Sequence, residues 1–88
     1  MANRLLIYTG LECTHCRAMY PLIDKLEKEA KLKIIKVEVW HNAKNAAEFQ
    51  QRDNGKCGGV PFFYNEKTKK WICGAVPYSE LKVWATGK

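Results

Sequence analysis

The segment Leu5–Cys16, LLIYTGLECTHC, places two cysteines three positions apart shortly after an apolar run. The apolar part does not alternate with polar residues, which is typical of a strand buried on both faces. A helical pattern begins at Cys13, so both thiols lie in the first turn of a predicted helix. Unpaired backbone N–H groups and the positive end of the helix dipole favour a thiolate there. Cys13 is therefore predicted to be a nucleophile with a lowered pKa, and Cys16 to resolve the mixed disulfide that Cys13 forms.

The segment after the cysteines predicts a βαβ unit. Helical periodicity continues to about residue 31, and Pro21 inside it is expected to kink the helix. Residues 33–40 alternate as in a half-exposed edge strand, with Ile35, Val37 and Val39 on one face. The strands before and after the helix are expected to be parallel, because a βαβ unit returns the chain in the same direction.

The second half of the chain predicts a helix, a hairpin and a short final helix. Asn42 is a plausible N-cap for a helix that ends near Arg52. Apolar strands at 62–64 and 71–73, joined by a polar turn, are typical of a β-hairpin. The last helix is expected to start at Pro77 or Ser79.

Length and composition restrict the class of protein. The chain has 88 residues and a net charge of +6, with its lysines dispersed among acidic residues. This spread indicates a solvated surface, and no nucleic-acid recognition motif accompanies the charge. No apolar run approaches the length of a membrane span. The apolar run that follows residues 1–4 is too short for a signal peptide, so we expect a cytoplasmic protein, or one of an organelle lumen after processing. We also expect a monomer.

The predicted order β-α-β-α-β-β-α, with Cys-x-x-Cys at the start of the first helix, resembles the minimal thioredoxin fold. That fold is α/β, with a four-stranded mixed sheet flanked by helices. Pro21 follows Cys16 by five residues, at the position of the helix-kinking proline of thioredoxins. Val60-Pro61 precedes the third strand, where the superfamily has a cis-proline facing the active-site disulfide. The resemblance covers essentially the whole chain, 1–88, as a single domain.

The resemblance implies dithiol–disulfide exchange with protein disulfides through Cys13 and Cys16. Val60 is expected to offer backbone hydrogen bonds to an extended substrate segment beside the cis-proline Pro61, and Gly74 to border the substrate groove. No cofactor is implied. An external reductase or oxidant is expected to return the cysteine pair to its starting state.

Several positions depart from the thioredoxin pattern. Glu12 replaces the usual tryptophan before the first cysteine, Thr14-His15 replaces Gly-Pro, and Ile7 replaces a buried aspartate. Glu12, Thr14 and His15 are therefore the candidates for tuning the thiols. An imidazolium at His15 is expected to stabilise the Cys13 thiolate and to make the disulfide more oxidising.

A second family alternative is glutathione-dependent, glutaredoxin-like activity. The segment after the fourth strand, residues 74–77, reads Gly-Ala-Val-Pro. It lacks the Gly-Gly-x-Asp signature that grips glutathione in glutaredoxins. The resemblance therefore favours exchange with protein dithiols.

Cys57 and Cys73 are expected at the same end of the sheet as the first pair. Four readings remain open at this stage: a second disulfide, a redox relay, a zinc or iron–sulfur site shared by all four thiols, or two independent buried thiols. The metal reading would make the chain a metal-binding module. Another alternative is a partner-binding adaptor on the same fold.

Overall fold

A computed structural model describes residues 4–87. Within this range the strands are β1 (Leu5–Thr9), β2 (Ile34–Glu38), β3 (Phe62–Asn65) and β4 (Trp71–Cys73). They form one mixed sheet in the order β2-β1-β3-β4. Strand β1 is parallel to β2 and antiparallel to β3, and β4 is antiparallel to β3. The predicted parallel pairing and hairpin are confirmed, with β2 at an edge.

Helices in the same range connect or follow these strands: α1 (Thr14–Ala30), α2 (Ala43–Asp53) and α3 (Tyr78–Thr86). Asn42 is the N-cap of α2 as predicted, and its side chain accepts the N–H of Asn45 at 3.0 Å. Pro21 lies inside α1. The order of elements is the predicted β-α-β-α-β-β-α.

The core has two parts because β1 is covered on both faces. On one face, Ile7 packs with buried side chains of α1 and α3, among them Met19, Ile23, Leu26, Leu81 and Trp84. On the other face, Leu6 and Tyr8 pack with Phe62, Val39 and the half-buried Phe49 of α2. The non-alternating apolar run of β1 thus supplies both layers, as its sequence pattern predicts.

The predicted apolar face of β2 is only partly buried. Ile34 is 2% exposed and packs in the cluster of Ile7, whereas Ile35 is 37% exposed. Val37 and Val39 pack on the opposite face as expected. Because β2 has a neighbouring strand on one side only, the Ile35 side chain stays partly open to solvent. None of the helices within residues 4–87 is long and apolar enough to cross a membrane.

Candidate active site

The turn from Gly10 to Cys13 carries the first cysteine from β1 into α1. The N–H of Cys13 donates to the carbonyl oxygen of Gly10 at 3.0 Å. Cys13 is the N-cap of α1 with extended backbone, and its Sγ accepts the N–H of Cys16 at 3.1 Å. A sulfur atom that accepts a helix N-terminal N–H is in a position that favours negative charge on it.

Cys13 and Cys16 are joined by a disulfide, with their Cα atoms 5.2 Å apart. Cys16 is fully buried, whereas Cys13 retains 5% of its surface. Both cysteines are therefore buried, and Cys13 is the more accessible of the two.

The loop before β3 lies directly against the first cysteine. The Val60–Pro61 peptide bond is cis, as the resemblance implies. The carbonyl oxygen of Val60 is 3.9 Å from the Sγ atom of Cys13. Pro61 is buried and its carbonyl oxygen accepts the N–H of Gly74 at 2.9 Å. The structure thus brings Cys13, Val60, Pro61 and Gly74 into one connected site.

The residues considered for tuning the cysteine thiols have different surroundings from one another. Thr14 and His15 are exposed. The carboxylate of Glu12 contacts Nε2 of His41 at 2.7 Å, and this hydrogen bond, reinforced by the carboxylate's charge, raises the pKa of His41. Ile7, which replaces the buried aspartate of thioredoxins, is fully buried in the apolar core. Glu12 is therefore paired with a histidine that the sequence analysis did not select.

Glu38 was not identified from the sequence, yet it joins two loops at this edge. Its carboxylate accepts the backbone N–H groups of Leu11 at 2.9 Å, Trp40 at 3.1 Å and His41 at 2.7 Å. Desolvation raises the pKa of Glu38, but these donors outweigh it and the pKa is lowered. The sequence shows only that Glu38 is a glutamate at the last position of an edge strand. It does not show which backbone N–H groups will donate to its carboxylate.

A second disulfide links Cys57 to Cys73, with Cα atoms 5.4 Å apart. Cys73 lies opposite Phe62 in the register of β3 and β4, as expected from the hairpin. Of the readings left open for this pair, the structure contains the second disulfide. Each of the four cysteines is therefore part of a disulfide in this structure.

Asp53 supports the loop that carries Cys57. Its side chain is buried, with 4% of the residue exposed. Its carboxylate accepts the N–H of Cys57 at 2.6 Å and that of Gly58 at 3.0 Å. An aspartate at the end of a helix before a glycine-rich segment is the sequence signal for such a turn, since Asp side chains bond nearby backbone N–H groups.

The α/β fold, with a vicinal cysteine pair at the start of α1 and a cis-proline opposite, defines the class of thiol–disulfide oxidoreductases. The Thioredoxin family model matches residues 3–86, and the chain belongs to this family. Among solved structures, thioredoxin O2 from Arabidopsis thaliana in its oxidized state is similar, with a TM-score of 0.68 and 23% identity over 90% of this chain and 68% of that one. At this identity the similarity shows the fold. No curated protein matches the chain.

Proposed function

We propose that this chain exchanges electrons with disulfides of other proteins through Cys13 and Cys16. The observation that carries the proposal is the position of Cys13, at the N-terminus of α1 and 3.9 Å from the carbonyl oxygen of Val60. This places the attacking sulfur beside backbone groups that an extended chain can bind. The family match over residues 3–86 supports the same chemistry.

The reaction starts from the reduced pair. The Cys13 thiolate attacks one sulfur of the substrate disulfide, whose S–S bond breaks, and the other substrate sulfur leaves as a thiolate and takes up a proton. Cys16 then loses its proton and attacks Sγ of Cys13. The mixed disulfide breaks, the second substrate thiol leaves, and the Cys13–Cys16 disulfide forms. The substrate gains two electrons from the cysteine pair and takes up two protons, one from Cys16 and one from solvent.

Val60, Pro61 and Gly74 form the proposed binding edge for the substrate. Val60 is half-buried and the buried Pro61 follows it in cis, which leaves the Val60 backbone beside the sulfur of Cys13. An extended segment that pairs with this backbone as an added strand would present its disulfide to Cys13. An external dithiol reductase, or an oxidant for the reverse direction, recycles the pair.

Trapping of the mixed disulfide tests the proposal. Cys16→Ser removes the resolving thiol, so its Cys13 is expected to remain bonded to insulin in a complex that resists denaturation and is released by dithiothreitol. Cys13→Ser is the matched control, and it is expected to form no such complex. Equal trapping by both variants, or by neither, would refute the assignment of Cys13 as the nucleophile.

A competition experiment separates protein substrates from glutathione. Cys16→Ser is offered insulin and glutathione disulfide at equal disulfide concentration, and the adducts are counted by mass. The insulin adduct is expected to form faster, because it can use the Val60 backbone. A dominant glutathione adduct would instead favour the glutaredoxin-like alternative.

A further inference from the structure

The loop between α2 and β3, residues 54–61, has little local structure to hold it. It contains Gly55, Gly58 and Gly59, and it contains no helix or strand. Gly55 and Gly58 adopt positive φ angles of 81° and 79°, a region that glycine enters without strain. A glycine-rich segment of this kind has high backbone entropy when it is free. Its position against Cys13 therefore depends on the tethers that hold it.

Three kinds of tether are present. The buried carboxylate of Asp53 binds the N–H groups of Cys57 and Gly58. The N–H of Gly74 binds the carbonyl oxygen of Pro61 at 2.9 Å. The third tether is the Cys57–Cys73 disulfide, which is covalent and which a thiol can open.

This disulfide joins the two segments that border the active site. Cys57 lies three positions before Val60, whose carbonyl oxygen is 3.9 Å from Sγ of Cys13. Cys73 lies opposite Phe62 in the sheet and directly precedes Gly74, which holds Pro61. The second disulfide therefore lies a few residues along the chain from the backbone that faces Cys13, on both of its sides.

We propose that the Cys57–Cys73 disulfide is a redox-operated clamp that keeps the 54–61 loop in its substrate-binding position and, when opened, weakens binding of protein substrates. This inference rests on the function proposed above for Cys13. Cys73 is exposed and Cys57 is half-buried, so we place the attack of an external thiol at Cys73.

The opening step uses two molecules of a low-molecular-weight thiol. The first thiolate attacks Sγ of Cys73, the S–S bond breaks, and Cys57 leaves as a thiolate that takes up a proton. The second thiolate displaces Cys73 from the mixed disulfide. The products are two cysteine thiols and one small disulfide. The loop is then held by hydrogen bonds to Asp53, by the Gly74 hydrogen bond and by the packing of Val60 against the core.

Single-turnover rates of mixed-disulfide formation test the clamp. Cys16→Ser is compared with the same chain carrying Cys57→Ser and Cys73→Ser, using insulin and hydroxyethyl disulfide as substrates. Insulin can use the Val60 backbone, whereas the small disulfide has no peptide groups to pair with it. The ratio of the insulin rate to the small-disulfide rate is expected to fall about threefold to tenfold, the loss that corresponds to one backbone hydrogen bond. Hydrogen exchange of residues 54–61 is expected to accelerate.

Stability loss is controlled by Leu81→Ala in the Cys16→Ser background, since Leu81 is buried far along the chain in α3. This variant is expected to leave the rate ratio unchanged. The clamp would be overturned if the insulin-to-small-disulfide rate ratio were unchanged in the variant carrying Cys57→Ser and Cys73→Ser. An equal fall of this ratio in the Leu81→Ala control would overturn it as well. Failure of Cys13 to react with either substrate would overturn the proposed function instead.

Graded dithiothreitol tests the redox operation in the Cys16→Ser protein. Alkylation and mass analysis give the fraction of open Cys57–Cys73, and the rate ratio measured after removal of the thiol is expected to fall in step with that fraction. If the bond opens only when the protein is unfolded, the clamp is structural and the redox part is wrong. Appearance of a Cys13–Cys57 or Cys13–Cys73 bond would identify a relay and overturn the clamp.

Discussion

The carboxylate of Glu12 lies 2.7 Å from Nε2 of His41, and this pair joins the turn before α1 to the segment between β2 and α2. Both side chains are more than half exposed, at 59% and 54%. The pair is therefore an electrostatic contact at the rim of the active site, screened by solvent. Its charge changes as His41 gains or loses a proton, and the hydrogen bond to Glu12 raises the pKa of His41.

Glu12→Gln is expected to lower the pKa of His41, since the glutamine keeps the size of the side chain and removes its charge. A titration of the imidazole resonance by NMR measures this pKa directly. For a histidine with a raised folded-state pKa, the stabilising contribution is complete below its unfolded-state pKa, and it is lost as the pH rises through the folded value. Glu80→Gln in α3 is the control. A His41 pKa that is the same in both variants would contradict the pairing.

His15→Ser is expected to make the Cys13–Cys16 pair more reducing. The tuning role of His15 remains a prediction: an imidazolium in the first turn of α1 would stabilise the Cys13 thiolate and so the reduced form. We expect the reduction potential to fall by roughly 30 mV, which corresponds to about 1.4 kcal/mol for this two-electron couple. Equilibration with glutathione buffers, followed by alkylation of Cys13, gives the potential. Gln51→Ser, at an exposed position of α2, serves as the control, and an unchanged or raised potential for His15→Ser would exclude the tuning role.

Glu66→Gln is expected to destabilise the fold in a pH-dependent manner. The Glu66 carboxylate accepts hydrogen bonds from the backbone and side chain of Arg4 and from Arg52 at 2.8–3.0 Å. The side-chain hydrogen bond from Arg4 is the main cause that lowers the pKa of Glu66 to about 2. We expect a loss on the order of 2 kcal/mol at neutral pH, after allowing for the partial exposure of Arg4.

The sign of this effect follows from the lowered pKa. The stabilisation by Glu66 is complete above its ordinary pKa of 4.5 and is lost as the pH falls towards about 2. Urea unfolding of both proteins across this range is expected to show two curves that converge at acid pH. Asp24→Asn, at an exposed position of α1, is expected to give no comparable loss. A Glu66→Gln difference that is constant with pH would exclude the ionic origin.

Gly10→Ala is expected to displace the Trp40 ring from the active-site turn. A methyl group at Gly10 would overlap this indole, which lies directly on the glycine. Since Trp40 is 52% exposed, the ring can move into solvent, and we expect a loss of roughly 1 kcal/mol with a red-shifted tryptophan emission. In a Trp40→Ala background the same substitution is expected to cost much less. Additive effects in this double-mutant cycle would argue against the contact.

The local parts of the fold and site are predictable from the sequence. The turn after β1 presents Cys13 to α1, Asn42 caps α2, and Cys73 ends the hairpin opposite Phe62. Each of these follows from residue type and spacing within a short segment. The cis bond before Pro61 follows from the resemblance, because a sequence alone does not distinguish the two isomers of an X–Pro bond.

The contacts that the sequence did not predict join distant segments. Glu38 accepts backbone N–H groups of two loops. Glu66 forms ion pairs with Arg4, the residue before β1, and with Arg52 of α2. A surface glutamate in a charged sequence has many eligible partners, and the selection among them depends on the finished packing. The exposed Ile35 has a similar origin, because its apolar character does not reveal how much of an edge strand the neighbouring helix covers.

The turn that carries Cys13 directly follows β1, which lies between β2 and β3 in the sheet. A protein bonded to Cys13 therefore transmits any pull along its own chain into a strand with hydrogen-bonded neighbours on both sides. Two ladders of residue pairs hold β1, whereas β4 is held by one ladder of three residue pairs. A pull applied at Cys13 therefore meets more strand pairing than a pull applied at β4 would.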